Sequence, residues 1–311
     1  MKRFIIVLLA TLWTASIRAQ QIVVVSPYNN TTTHSTLQDA IEKATEGSVI
    51  YLPGGSFSIS DENTINKRLT FVSVTHSIKS NHIDGATIIG GSLRFLKGSD
   101  GSAVIGPYVT GDIYIGTSND TVRNVLVRNC NLNCLQVGNA ACSGVMVNQC
   151  YLRRASNFGS ANAHITNCIC YSLSGVVGGV IDHNVINNGD ASGTTSTISN
   201  NIIINGKASG DNCQIINNMC TSECGMNCLV VSDWAEVLTD YTHGISIYSD
   251  FSLKGETGKK AATDGTDIGI YGGSGFDKDA ISPIPYVVAK RIPEQTDASG
   301  NLSVQMRVMT K

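Results

Sequence analysis

Charge is scarce in this chain of 311 residues. Only 15% are Asp, Glu, Lys or Arg, against roughly 25% in an ordinary globular protein. Lys+Arg 22 nearly cancels Asp+Glu 24, for a net charge of −2. With no basic run, the electrostatic drive for nucleic-acid or anionic-membrane binding is missing, and neither partner is expected. Proline is limited to 6 residues, Trp to 2 and aromatic residues to 6%. Leu, Glu and Lys are too sparse for a helical protein of this size. Disorder is excluded as well, because 42% of the chain is hydrophobic and β-branched residues are frequent.

What the chain does have is Gly, Asn and Cys. Gly contributes 31 residues, and of 26 Asn, 20 fall between Asn119 and Asn227. All 10 Cys fall between Cys130 and Cys228. The N-terminus carries Lys2 and Arg3, an apolar run from Phe4 to about Trp13, and Ala19 at a cleavage position. This is the pattern of a secretory signal peptide over 1–19, with secretion or periplasmic export after removal near Ala19. The run is too short to span a bilayer, which needs roughly 20 residues, and no later stretch approaches that length.

One six-residue phrase recurs through the middle of the chain. It reads Val127-Arg-Asn-Cys130-Asn-Leu132, Val147-Asn-Gln-Cys150-Tyr-Leu152 and Ile165-Thr-Asn-Cys168-Ile-Cys170. It continues as Ile181-Asp-His-Asn184-Val-Ile186, Ile198-Ser-Asn-Asn201-Ile-Ile203 and Ile215-Ile-Asn-Asn218-Met-Cys220. The fourth position advances by 20, 18, 16, 17 and 17 residues. Weaker copies stand at Ile88-Ile-Gly-Gly91-Ser-Leu93 and Val104-Ile-Gly-Pro107-Tyr-Val109. Leucine-rich repeats use 20–29 residues because each coil returns through a helix or 3₁₀ turn. Here the period is too short for that, and a hexapeptide period is missing. The expected fold is therefore all-β: a right-handed parallel β-helix whose coils stack ~4.8 Å apart.

Strand alternation puts the first and last residues of each phrase inside as two columns. The fourth position, Cys130, Cys150, Cys168, Asn184, Asn201 and Asn218, is expected to be an inward structural ladder at a coil corner. An Asn amide there can bond the coils above and below, and Cys fills the same small niche as a thiol. The ends fit a solenoid too. Ser35 with Gln38 reads as a capping box, and Leu37, Ala40, Ile41 and Ala44 form one apolar helical face that would plug the open N-terminal end. Leu302, Val304, Met306 and Val308 alternate as a strand after the turn Thr296–Asn301. The expected organisation is thus a signal peptide over 1–19, a β-helix over 20–280, and a C-terminal β segment over 281–311 packed on the solenoid. An outward column after the corner, Ile169, Val185, Ile202 and Met219, is apolar and needs a cover. The tail from about Pro283 to Val308 is the nearest one, and a second copy of the chain is the rival.

The chain resembles the pectin-lyase-like superfamily of right-handed parallel β-helices. The opening STLQDAIEKATEGSVIYLPGGSFSIS (35–60) is similar to that superfamily's capping helix, first strand and Gly-containing turn. INKRLTFVSV and ATIIGG resemble its next coils. DGTDIGIYGGSGF (264–276) resembles the closing coil of secreted β-helix proteins of Bacteroidetes type. The resemblance covers about residues 22–276. It implies a secreted protein that engages polysaccharide along a lateral face, as a polysaccharide lyase, a glycoside hydrolase, or a non-catalytic surface or protein-binding β-helix.

No family catalytic set falls into place. The clear coils offer few acids, chiefly Asp182, Asp190, Asp211 and Glu223, and the only His-Gly pair is His243-Gly244. Stacking the coils brings Arg153 beside Tyr171, with Asp182 and His183 on the next coil. Arg, Tyr and His suit sugar stacking and acid recognition, and these four are the candidate glycan contacts. As a surface cation–π pair and a solvated corner they would carry no function. No cofactor is expected. Asp264-Gly-Thr-Asp267 offers oxygen ligands of the kind calcium takes, or else a simple turn. Cys220-x₃-Cys224-x₃-Cys228 lacks the close pairs of a zinc site, so no metal is assigned. The pairing of Cys134, Cys142, Cys224 and Cys228 stays open.

Overall fold

The computed structural model describes residues 21–77, 85–138, 141–156, 158–159, 162–241 and 249–278, together with parts of 286–309. The signal-peptide segment 1–19 and His243-Gly244 lie outside the described residues. The fold is a parallel β-solenoid. One sheet of 11 strands begins with Ile22–Val25, which pairs antiparallel with Thr31–His34 and with Val49–Leu52. From there it is parallel, one strand per coil, ending with Gln214–Ile216. A second sheet of 15 strands runs from Gly55–Ser58 to Leu229–Val230 and forks to form a further wall. Among the described residues the helices are short: α1 (Leu37–Lys43) and α2 (Trp234–Val237). Neither is long and apolar enough to cross a membrane.

The α1 helix forms where its apolar face meets the end of the core, burying Leu37, Ala40 and Ile41. Its cap differs from the expected one. Thr36, not Ser35, has the extended backbone of a cap, and its Oγ1 accepts from Asp39 N at 3.2 Å. Both positions carry a hydroxyl, and the shift by one residue puts Asp39 rather than Gln38 three positions after the cap. Asp39 then also binds His34 at 2.6 Å and Lys43 at 2.8 Å.

The phrase register is explicit in the strand pairing. Val127 faces Val147, Val147 faces Ile165, and the row continues through Ile181 and Ile198 to Ile215. The upstream copy at Val104 is in register with Val127. The one at Ile88 is not. Ile88 pairs with Tyr108, in the second sheet, so ATIIGG occupies the stretch after the corner rather than before it. Its glycines imitate the corner without sharing its place in the coil.

At the corner the ladder positions are fully buried. Asn218 Oδ1 accepts from the backbone N and the Nδ2 of Asn201, at 3.0 and 2.9 Å, and Asn201 Oδ1 does the same for Asn184. Each Nδ2 also donates to a carbonyl of the preceding coil: Ile165, Ile181 and Ile198. Asn184 Oδ1 takes the Cys168 N–H, and Cys168 Sγ takes that of Cys150. Cys130, Cys150 and Cys168 are free thiols.

Coil pairing ends at Leu229–Val230, short of residue 280. Residues 231–241 and 249–276 instead lie against the outside of the coils. The apolar stripe Ile169, Val185, Ile202 and Met219 is covered there by Val231, Trp234, Val237, Leu238, Phe251, Leu253, Ile268 and Ile270. Among the described residues the cover is this segment; the tail after Pro283, expected to cover the stripe, lies largely outside them. The C-terminal strands Tyr286–Arg291 and Gln305–Met309 pair with each other; how 281–311 packs on the solenoid lies outside the described residues.

Candidate functional site

The third residue of each phrase sets the local geometry on one edge. Asn129, Gln149, Asn167, His183, Asn200 and Asn217 all have φ between 50 and 59°. Asn tolerates this left-handed region best among residues with a side chain. In the Val104 copy the same corner is Gly106, at φ 94°.

From Gln149 onward these side chains hold residues 261–275 across the coils as a strap. Gln149 Nε2 donates to Gly275 O at 2.8 Å. Asn167 Nδ2 donates to Ile270 O and Gly272 O, and its Oδ1 accepts from Ser274. Asn200 exchanges two bonds with Thr263, and Asn217 Nδ2 donates to Ala261 O. DGTDIGIYGGSGF therefore crosses several coils rather than closing one.

His183 lies beneath this strap and is only 2% exposed. Its Nδ1 is 2.7 Å from Asp182 Oδ2, and its Nε2 is 3.2 Å from Thr266 Oγ1. Asp182 Oδ1 accepts from Ser199 Oγ and Asn200 Nδ2. Burial pushes the Asp182 carboxyl up, but the bonds from His183, Ser199 and Asn200 outweigh it and hold it below the usual carboxylate range. Thr266 Oγ1 donates to Asp264 Oδ1 at 2.6 Å and accepts from Gly273 N. Gly272 is required: a Cβ there would collide with the His183 ring. In the Asp264–Asp267 turn one Asp264 oxygen closes the turn on Thr266, and Asp267 Oδ1 accepts from Lys260 N.

Arg153 and Tyr171 lie elsewhere, on the second sheet. They follow the paired residues Leu152 and Cys170 and so occupy adjacent coils. Both are exposed. Asp182 and His183 end a strand of the first sheet, before the corner, whereas Arg153 and Tyr171 come three residues after it. The corner separates the two pairs, and the strap closes His183 off from solvent.

The face around Arg153 holds residues that the sequence reading passed over. Arg94, Tyr114 and Gln136 stand in one axial row, each between two inward apolar residues: Leu93 and Phe95, Ile113 and Ile115, Leu135 and Val137. These apolar–polar–apolar triplets were the available signal. The Arg94 guanidinium lies 4.1 Å from the centre of the Tyr114 ring. Asp112 accepts from Tyr114 Oη at 3.0 Å, Asn133 Nδ2 at 2.8 Å and Gln136 Nε2 at 3.3 Å. Burial and the bond to Asp112 push the Tyr114 phenol up. Asn133 lies level with Arg153, between the pairs Leu132–Leu152 and Cys134–Arg154. Gln136 itself is level with Ser156, so Asn133, Arg153 and Tyr171 form a second polar row, joined to the first where Asp112 binds Asn133 and Gln136. Beside it, burial and the neighbouring Tyr171 phenol push Tyr151 up to about 12. The described cavities lie off this face. One of about 330 Å³ is at the C-terminal end of the coils, and one of about 310 Å³ is beside α1.

Fold and surface together define a parallel β-solenoid with polar rows bearing Tyr and Arg. No protein-family model matches the chain, and no curated protein matches it.

Proposed function

We propose that this is an exported glycan-binding β-solenoid that engages a polysaccharide lengthwise along the second sheet. The observation that carries the reading is a pair of polar rows, Arg94, Tyr114 and Gln136 beside Asn133, Arg153 and Tyr171, joined through the bonds of Asp112. At ~4.8 Å per coil it advances by about the length of one sugar unit in a linear chain. It presents fixed donors and acceptors, exposed phenol rings and guanidinium groups, the chemistry of sugar hydroxyls, sugar faces and uronate carboxylates. The described cavities lie elsewhere, at the ends of the coils.

Binding rather than cleavage suits these groups. Hydrolysis needs a general acid and a base within reach of the bond. The oxygens of Asp112 are taken up by three donors. A Tyr151 phenol near 12 donates hydrogen bonds at neutral pH rather than taking a proton. The protein-docking alternative loses its main support, because the apolar stripe is covered by the chain itself.

Affinity electrophoresis through gels containing a panel of neutral and acidic polysaccharides tests the reading. The same incubations are assayed for unsaturated uronate absorbance and for new reducing ends. Retardation by at least one polymer without product supports the proposal. Product formation replaces it with an enzyme, and the absence of retardation across the panel removes it.

A further inference from the structure

Three sulfurs meet where the coils end. Cys220 is the last residue of the inward column, and the loop that follows carries Cys224 and Cys228. Cys220 and Cys224 form a disulfide. The sulfur of Cys228 lies within 4.8 Å of both. Of the free thiols among the described residues, six are buried, and only Cys213 and Cys228 are partly exposed. A cavity of about 330 Å³, lined by Cys213, Ile215, Ile216, Gly225 and Met226, opens at this end.

We propose that this end cap is a thiol–disulfide exchange site, in which Cys228 attacks the Cys220–Cys224 disulfide and moves it to Cys224–Cys228. The Cys228 thiolate attacks Cys224 Sγ. The Cys224–Cys228 bond forms and the Cys220–Cys224 bond breaks. The electron pair remains on Cys220 Sγ, which takes up the proton that Cys228 released. One disulfide exists before and after, so no outside oxidant is needed. Cys224 is the sulfur attacked because it keeps some exposure where Cys220 has none, and Cys228 lies against the Cys224 backbone. In the first isomer the loop is tied to the core column. In the second it is tied only to itself, and the backbone bonds between Met226 and Ile215 and between Asn217 and Met226 are what keep the cap in place.

Burial pushes the Cys228 thiol up. The thiolate is the nucleophile, so exchange is slow at neutral pH and quickens about tenfold per pH unit below the thiol's pKa. The chain offers its own means of reading the isomers. Cleavage after Met219, Glu223 and Met226 places the three cysteines on three peptides.

The unreduced full-length protein is incubated at neutral and alkaline pH, acid-quenched, alkylated and mapped in this way. The expected result is both Cys220–Cys224 and Cys224–Cys228 linked peptides, the second accumulating about tenfold faster per pH unit, and only the first in Cys228→Ser. Finding Cys220–Cys224 alone at every pH, or all three cysteines alkylated, overturns the proposal. Cys220→Ser provides a check that does not depend on rates. Under mild oxidation it forms Cys224–Cys228 if the pair is within reach, and two free thiols there overturn the proposal as well.

Discussion

At the scale of single residues, the two polar rows of the corner do different work. The inward ladder satisfies the backbone of neighbouring coils, and every Asn amide in it is fully buried. Asn201→Leu strips an acceptor from Asn184 and a donor from the Ile181 carbonyl. It should cost about 1–3 kcal/mol, the usual result of leaving buried backbone groups unpaired. A denaturation midpoint equal to wild type would show that these bonds do not contribute. The outward row instead fixes the strap, and Asn167→Gly isolates that role. Gly keeps the left-handed backbone at φ 50° without strain, so the loss is confined to the three side-chain bonds to Ile270, Gly272 and Ser274. At roughly 0.5–1.5 kcal/mol each, about 1.5–4.5 kcal/mol of strap stability should go. Hydrogen exchange of the Ile268–Ser274 amides measures it directly: faster exchange confined to the strap is expected, and unchanged exchange counts against the clasp.

At the scale of elements, the strap adds a pH dependence. The Asp182 carboxyl is held below the usual carboxylate range in the folded chain. A group with a lowered folded pKa contributes stability that is fully present above its unfolded value, about 3.9, and is lost as pH falls through the folded value. Acidification below about pH 4 should therefore loosen the strap while leaving the coils in place. Trp234, buried in the same cover, is the only Trp outside the first 19 residues. Its emission should shift at acid pH in the wild type and lose this step in Asp182→Asn. Coincident loss of the coils' far-ultraviolet dichroism would mean that the strap is not a separate unit. The elements also show what the sequence made legible. The coil phrase located strands, inward columns and corner, because a period near 17 with alternating apolar residues leaves few other folds. The strap stayed hidden because residues 231–276 have no period. Their place depends on Gln, Asn and His side chains 44 to 126 residues earlier, such as Asn217 to Ala261 and Gln149 to Gly275. The polar face was half visible. Arg153 and Tyr171 could be stacked by counting from the corner, but Asp182 and His183, grouped with them on the next coil, lie across it.

At the scale of the whole molecule, one sheet carries surfaces with opposite fates. Its apolar stripe is closed by residues 231–241 and 249–276; the polar rows beside it are open. Four stacked apolar residues at ~4.8 Å make a stripe on the order of 15 Å long, which soluble proteins seldom leave bare. A chain ending after residue 278 retains every described covering residue and should keep the oligomeric state of the full-length protein. A chain ending after Val230 exposes Ile169, Val185, Ile202 and Met219 together, and it should self-associate or precipitate. Size-exclusion chromatography of the two truncations decides this, and equal behaviour would assign no role to the cover. The open rows give the complementary expectation. Arg153→Ala and Tyr114→Ala sit on exposed or half-exposed outward positions, so their melting curves should stay close to wild type. If a glycan lies along this face, each should weaken retardation by the polymer, by about fivefold to tenfold in Kd for a lost contact of about 1 kcal/mol or slightly more. The substitution His183→Ala is the internal control. It sits under the strap, out of reach of a bound chain, so it should lower strap stability and leave polymer affinity unchanged. If His183→Ala abolishes binding while Arg153→Ala and Tyr114→Ala do not, the ligand lies along the strap and the open rows are not the binding face.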